Sequence, residues 1–99
     1  MVDTIWKIGD IVYGVHTQVS DGKFYIGVTE EKINRFTEGW WYSSGYFMGN
    51  EVASDMLSAF DTKEGAIVSA EHIAQDAEML SKALNQSGVW KEVIRLWEE

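Results

Sequence analysis

Two histidines and sixteen carboxylates are the groups with which this chain could do acid–base or metal chemistry. His72 and Asp76 stand one helical turn apart, a spacing that can present two ligands to one metal ion. No His-Glu-x-x-His accompanies them, and the other histidine, His16, lies in a distant segment. The pair reads as a solvated helix flank, and no metal is expected. Glu30-Glu31 is the nearest approach to a paired carboxylate, but adjacent strand residues point to opposite faces and cannot flank one bond. Ser43-Ser44-Gly45 follows a strand pattern without opening a helix, so it is no nucleophile elbow. Phosphate-loop and dinucleotide fingerprints are both missing. The expectation is a non-catalytic protein without a cofactor.

Binding chemistry is better represented. The stretch Gly39 to Gly49 reads GWWYSSGYFMG. In a strand, Trp40 and Tyr42 point one way and Trp41 the other, and only one of those sets can enter the core of a one-sided sheet. The other set is covered by C-terminal helices, is covered by a partner, or lies open. Ser43, Ser44 and Gly45 then interrupt the run, and a loop between Gly45 and Gly49 would present Tyr46 and Phe47 as interface anchors. Glu38, Glu51 and Asp55 flank them. His16, diagonal to Tyr25 on the outward face of a hairpin, completes the expected partner-binding set.

The elements that must position these residues divide near Phe60. Before it, Ile11 to Val19 and Lys23 to Glu30 flank Asp21-Gly22, a strong hairpin signal. A two-residue loop pairs Ser20 with Lys23, Val19 with Phe24, Thr17 with Ile26 and Val15 with Val28. That register sorts both strands into one apolar face and one polar face, the latter carrying Gly14, His16 and Gln18 opposite Thr29, Gly27 and Tyr25. Ile33 to Thr37 and Trp40 to Ser44 read as two more strands joined at Glu38-Gly39, and a fifth falls within Glu51 to Ala59.

After Phe60 the period changes. Asp61-Thr62-Lys63-Glu64 is close to a capping box. Ala66, Ala70, Ile73, Ala77, Leu80 and Leu84 then form one helical stripe. Asn85 to Gly88 breaks it, and Ser87 can cap a last helix. Val89, Trp90, Val93, Ile94, Leu96 and Trp97 would cover an arc of roughly 160° on that helix. Trp90 and Trp97 share its stripe and are the expected oligomer interface if it packs on a second chain. Strands followed by helices predict an α+β domain: a small antiparallel sheet or SH3-like partial barrel of five strands, then two C-terminal helices.

Composition narrows the partner. Ninety-nine residues, 45% of them hydrophobic, suit one domain with one core. Cysteine is absent, the N-terminus shows no basic-then-apolar signal pattern, and no apolar run reaches the ~20 residues of a bilayer span. A cytoplasmic location is expected. The net charge of −8 repels a phosphate backbone, so direct nucleic-acid binding is not expected. The acidity serves solubility alone, or it imitates phosphates before a basic groove on a nucleic-acid-binding protein.

Two motifs carry a resemblance. Gly9-Asp10-Ile11-Val12-Tyr13 and Phe60-Asp61-Thr62-Lys63-Glu64-Gly65-Ala66 resemble the strand start and helix entry of small accessory proteins of phages and mobile elements. Gly65 departs from the usual Glu. The resemblance implies a neighbourhood where compact acidic proteins inhibit host defence, as anti-CRISPR and anti-restriction proteins do. The leading expectation is thus an inhibitor that docks on a host nucleic-acid-processing protein. A plain assembly module, homodimeric through the last helix, comes next, and a small enzyme or ligand-binding barrel third.

Overall fold

Asp21-Gly22, Glu38-Gly39 and Met48-Gly49 each place two consecutive residues at positive φ: 54° and 75°, 54° and 82°, 52° and 83°. Such left-handed pairs form two-residue hairpin loops whose twist matches that of the flanking strands. The computed structural model describes residues 6–83 and 90–97. Those three turns join β1 (Ile11–Ser20), β2 (Lys23–Thr37), β3 (Trp40–Phe47) and β4 (Asn50–Asp55). Then follow β5 (Ala59–Phe60), helix α1 (Lys63–Ala83) and β6 (Glu92–Arg95). The sheet runs β4-β3-β2-β1-β5, with β6 added beside β2. Among the described residues this is an α+β fold of one small, mainly antiparallel sheet and one helix.

The β1–β2 hairpin has the register expected from its turn, from Ser20 opposite Lys23 through Val15 opposite Val28. Its second strand does not stop at Glu30. It continues to Thr37, with a register shift between Ile33 and Arg35 where it pairs with β3. The charges at Glu30, Glu31 and Lys32 do not interrupt it: Glu30 and Lys32 face water while Glu31 turns inside.

One correction concerns the C-terminus. Residues 92–95 form a strand, not a second helix, and pair parallel with Lys23 to Ile26 of β2. Lys91 donates its amide to the Gly22 carbonyl at 2.7 Å, and Leu96 to that of Ile26 at 2.8 Å. A short apolar run fits either period. Here β-branched Val93 and Ile94 favour the strand, and the open edge of β2 supplies hydrogen bonds that an isolated short helix must forgo. The expected break at Asn85 to Gly88, the Ser87 cap, Leu84 and Val89 lie outside the described residues.

The helix starts one residue later than its capping box suggested: Thr62 Oγ1 accepts the Gly65 amide at 3.1 Å. Its buried ridge is Ala66, Ala70, Ala74 and Ala77. Ile73 and Leu80, expected on that stripe, are 38% and 47% exposed. Alanines let the helix approach closely enough for Val15, Phe24, Ile26 and Val28 of the sheet to fill the interface, with Val93 and Trp97 beside them. Arg95 then clamps β6 to α1, reaching Glu71 at 2.8 Å and Glu78 at 2.9 Å. Those hydrogen bonds, Glu78's first, hold the Arg95 guanidinium above its ordinary range, and Arg95 in turn holds the Glu71 carboxyl below its own.

Candidate functional site

The second face of the sheet carries the unexpected chemistry. Glu31 is 1% exposed. Its Oε2 accepts hydrogen bonds from Thr29 Oγ1 at 2.6 Å and His16 Nε2 at 2.7 Å, and its Oε1 accepts one from Ser43 Oγ at 2.9 Å. Ser54 Oγ lies 3.5 Å from the same His16 nitrogen. One carboxylate thus ties together β1, β2, β3 and β4. Burial alone would raise its pKa, but the hydrogen bonds from His16, Thr29, Ser43 and Ser54 outweigh that and hold the carboxyl below its usual range.

Room for this group comes from glycines. A side chain at Gly14 would collide with Glu31 and Ser54, and one at Gly27 with Phe47. At Gly45 a Cβ would stand 2.7 Å from the Glu30 carbonyl oxygen and 2.9 Å from Glu31 Cγ. Backbone cannot step aside as a flexible side chain can. Gly45→Ala should therefore cost about 1–3 kcal/mol through overpacking, read as a lower urea midpoint at unchanged slope.

The cluster is not a catalytic relay. Glu31 and Ser54 both approach Nε2 of His16, whereas a nucleophile–base–acid relay uses the two ring nitrogens separately. His72 and Asp76 are both exposed, and no group of three or more potential metal ligands is assembled among the described residues.

The expected binding residues separate into two sets. His16 turns inward to Glu31, and Tyr25 lies half-buried opposite Gln18 and Ile94. Phe47 is in the last position of β3, not in a loop. It is buried, with its ring 6.2 Å from that of His16. The tight turn at Met48-Gly49 removes the loop that would have presented it.

Tyr46, by contrast, is 72% exposed. It faces Glu51 across the β3–β4 pair, and Tyr42 faces Asp55. Trp40, Tyr42, Ser44 and Tyr46 therefore share the outer face of β3, while Trp41 turns to the other face and packs on Phe36 with ring centroids 4.3 Å apart. Glu38 sits in the turn beyond Trp40, which is itself about 20 Å from Tyr46 at ~3.3 Å per residue. The result is a strip with aromatics along β3 and carboxylates at both ends and beside it. Helix α1 packs over β1, β2, β5 and β6. Arg35 covers the Tyr42 ring at 4.3 Å, so the strip is not uniformly acidic. Asp55 also has a local duty: its Oδ1 accepts the amides of Leu57 and Ser58 at 3.0 and 3.2 Å.

Both C-terminal tryptophans are engaged within the chain. Trp90 packs its ring 4.9 Å from Phe24 and donates Nε1–H to the Ala77 carbonyl, while Trp97 joins the helix–sheet core. Sequence reasoning missed Glu31. A signal was present: the hairpin register puts Glu31 on the face of Gly14 and Gly27, and glycines beside a glutamate mark space kept for a bulky group.

No family model, curated protein or solved structure matches this chain. The two motifs, Gly9 to Tyr13 and Phe60 to Ala66, have structural roles. Gly9 donates its amide to Ile33 and the Asp10 carbonyl accepts that of Ile33, while Thr62 caps α1. No helix among the described residues is long and apolar enough to cross a membrane.

Proposed function

We propose that this chain is a non-catalytic binding protein that sets the outer face of β3 and β4 against a basic surface of a protein partner. Its acidic strip imitates a phosphate backbone, in the manner of an anti-CRISPR or anti-restriction inhibitor. The observation that carries the reading is the strip itself, exposed at Tyr46, Glu51 and Glu38 and half-buried at Tyr42 and Trp40. Tyr46 stands beside Glu51, with Tyr42 and Trp40 in line behind it and Glu38 at the far end. Charge steers such an encounter and aromatic anchors hold it. The engagement of Trp90 and Trp97 within the chain makes the strip the first surface to test.

The test is capture of a partner from a bacterial lysate, followed by binding kinetics with the purified partner at two ionic strengths. Glu38→Gln with Glu51→Gln should slow association and flatten its salt dependence, with little change in stability, because exposed charges contribute little to folding. Tyr46→Ala should speed dissociation, at a cost of about 2 kcal/mol in affinity. Asp55 is varied separately, since losing its turn contacts would itself loosen the fold. Affinity that ignores salt and survives all three substitutions would remove the decoy reading.

A further inference from the structure

Strand β4 ends the sheet, and among the described residues it pairs only with β3. Proteins usually blunt such an edge with proline, lysine, a bulge or a cover. None of the first three is present. Asn50 to Asp55 contains no Pro or Lys, and its pairing with β3 runs in unbroken register from Phe47 opposite Asn50 to Tyr42 opposite Asp55. The edge is also held in place. Ser54 is buried at the Glu31 cluster, and Asn50 Nδ2 reaches Gln18 Oε1 of β1 at 3.4 Å. A held edge that meets no second strand among the described residues is preorganised for strand addition, because little order remains to be imposed on binding.

Charge selects the occupant. Glu51 and Asp55 share the outer face of β4, with Ala53 between them. A second copy added antiparallel about Ala53 would set Glu51 opposite Asp55 twice, and like charges directly opposed destabilise a pair. A basic strand meets the same positions with attraction. We propose that β4 accepts an extended segment of a partner protein by strand addition, and that this segment carries Lys or Arg at the two positions across from Glu51 and Asp55. The inference rests on the protein-binding reading above and names the mode of docking.

The probe is a short fluorescent peptide in which lysine and threonine alternate. Three comparators accompany it: the same peptide with its lysines replaced by glutamate, and two N-methylated at alternate amides, one for each edge. Anisotropy should show the parent peptide binding. Affinity should fall about tenfold or more with the glutamates and with one of the N-methylated peptides, which keep every charge but lose donors on one edge. Val52→Pro and Ala53→Pro supply the reciprocal test, since neighbouring amides point to opposite edges. The variant that keeps its melting temperature has lost only an outward amide, and it should lose peptide affinity to the same degree.

Binding that is indifferent to N-methylation and to that proline is mere charge attraction and overturns strand addition. So does absence of binding, or a concentration-dependent dimer that the same proline abolishes. The two readings fail separately. If the captured partner responds to Glu51 and Tyr46 but not to the edge proline, the strip remains the docking surface and strand addition is wrong.

Discussion

Glu31→Ala is expected to cost about 3–5 kcal/mol of folding stability, because it truncates a buried side chain and removes the shared acceptor of several buried donors, each worth roughly 1–3 kcal/mol. A small domain has roughly 5–15 kcal/mol in all. The substitution leaves His16 Nε2 and the hydroxyls of Thr29 and Ser43 without their acceptor, inside a site that several strands close. Loss should be global, because the carboxylate joins β1, β2, β3 and β4. Melting and urea curves of the variant should shift together by every probe. Glu31→Gln retains an acceptor oxygen at similar volume and should recover part of the loss. A fall below 1 kcal/mol for Glu31→Ala would mean that the cluster contributes no net stability.

The same carboxylate sets a pH dependence. Its pKa in the folded chain is below the ordinary glutamate value because hydrogen bonds to the charged form outweigh burial. The unfolded chain therefore binds the proton more readily. The contribution of Glu31 to stability is complete above the ordinary glutamate range and declines as pH falls through it towards the lower folded value. Glu31→Gln should flatten the acid limb of a stability–pH curve. Glu71 shifts in the same direction through Arg95, but it is open to solvent and should add little.

Trp97→Ala is the second large effect, about 3 kcal/mol, at the low end for truncating a tryptophan because the ring is only half-buried. It should be felt locally first. β6 is tied to the rest by parallel pairing with four residues of β2, by the Arg95 clamp and by Val93 and Trp97 against the core. Hydrogen exchange in the variant should accelerate at the amides of β6 before those of the β1–β2 hairpin. Uniform acceleration would show instead that β6 is part of the cooperative core. Equal protection in variant and parent would mean that Trp97 does not hold the strand.

Several of these features were legible in the residues. Asp21-Gly22 and Glu38-Gly39 specify tight hairpins because the backbone they need is local, and alternation then fixes which residues share a face. Trp40 and Tyr42 fell on one side and Trp41 on the other for that reason. Tyr46 and Glu51 read as surface candidates from the sequence, but their direct opposition depends on the Met48-Gly49 turn. The sequence reads as a loop there because Met48, the first residue of the turn, is not one of the usual turn formers.

Local pattern by itself determined the register of the first hairpin, the separation of Trp40 and Tyr42 from Trp41, and the start of α1 to within one residue. Each depends on turn chemistry, alternation or capping within a few residues. Tertiary structure alone decided the rest. Glu31 is inside because side chains from β1, β3 and β4 converge on it, and no local window contains them. Phe47 is inside because Gly27, twenty positions earlier, leaves it space. The last segment is a strand because the free edge of β2 offers backbone hydrogen bonds from the other end of the chain. A short apolar run has no preference strong enough to resist that offer.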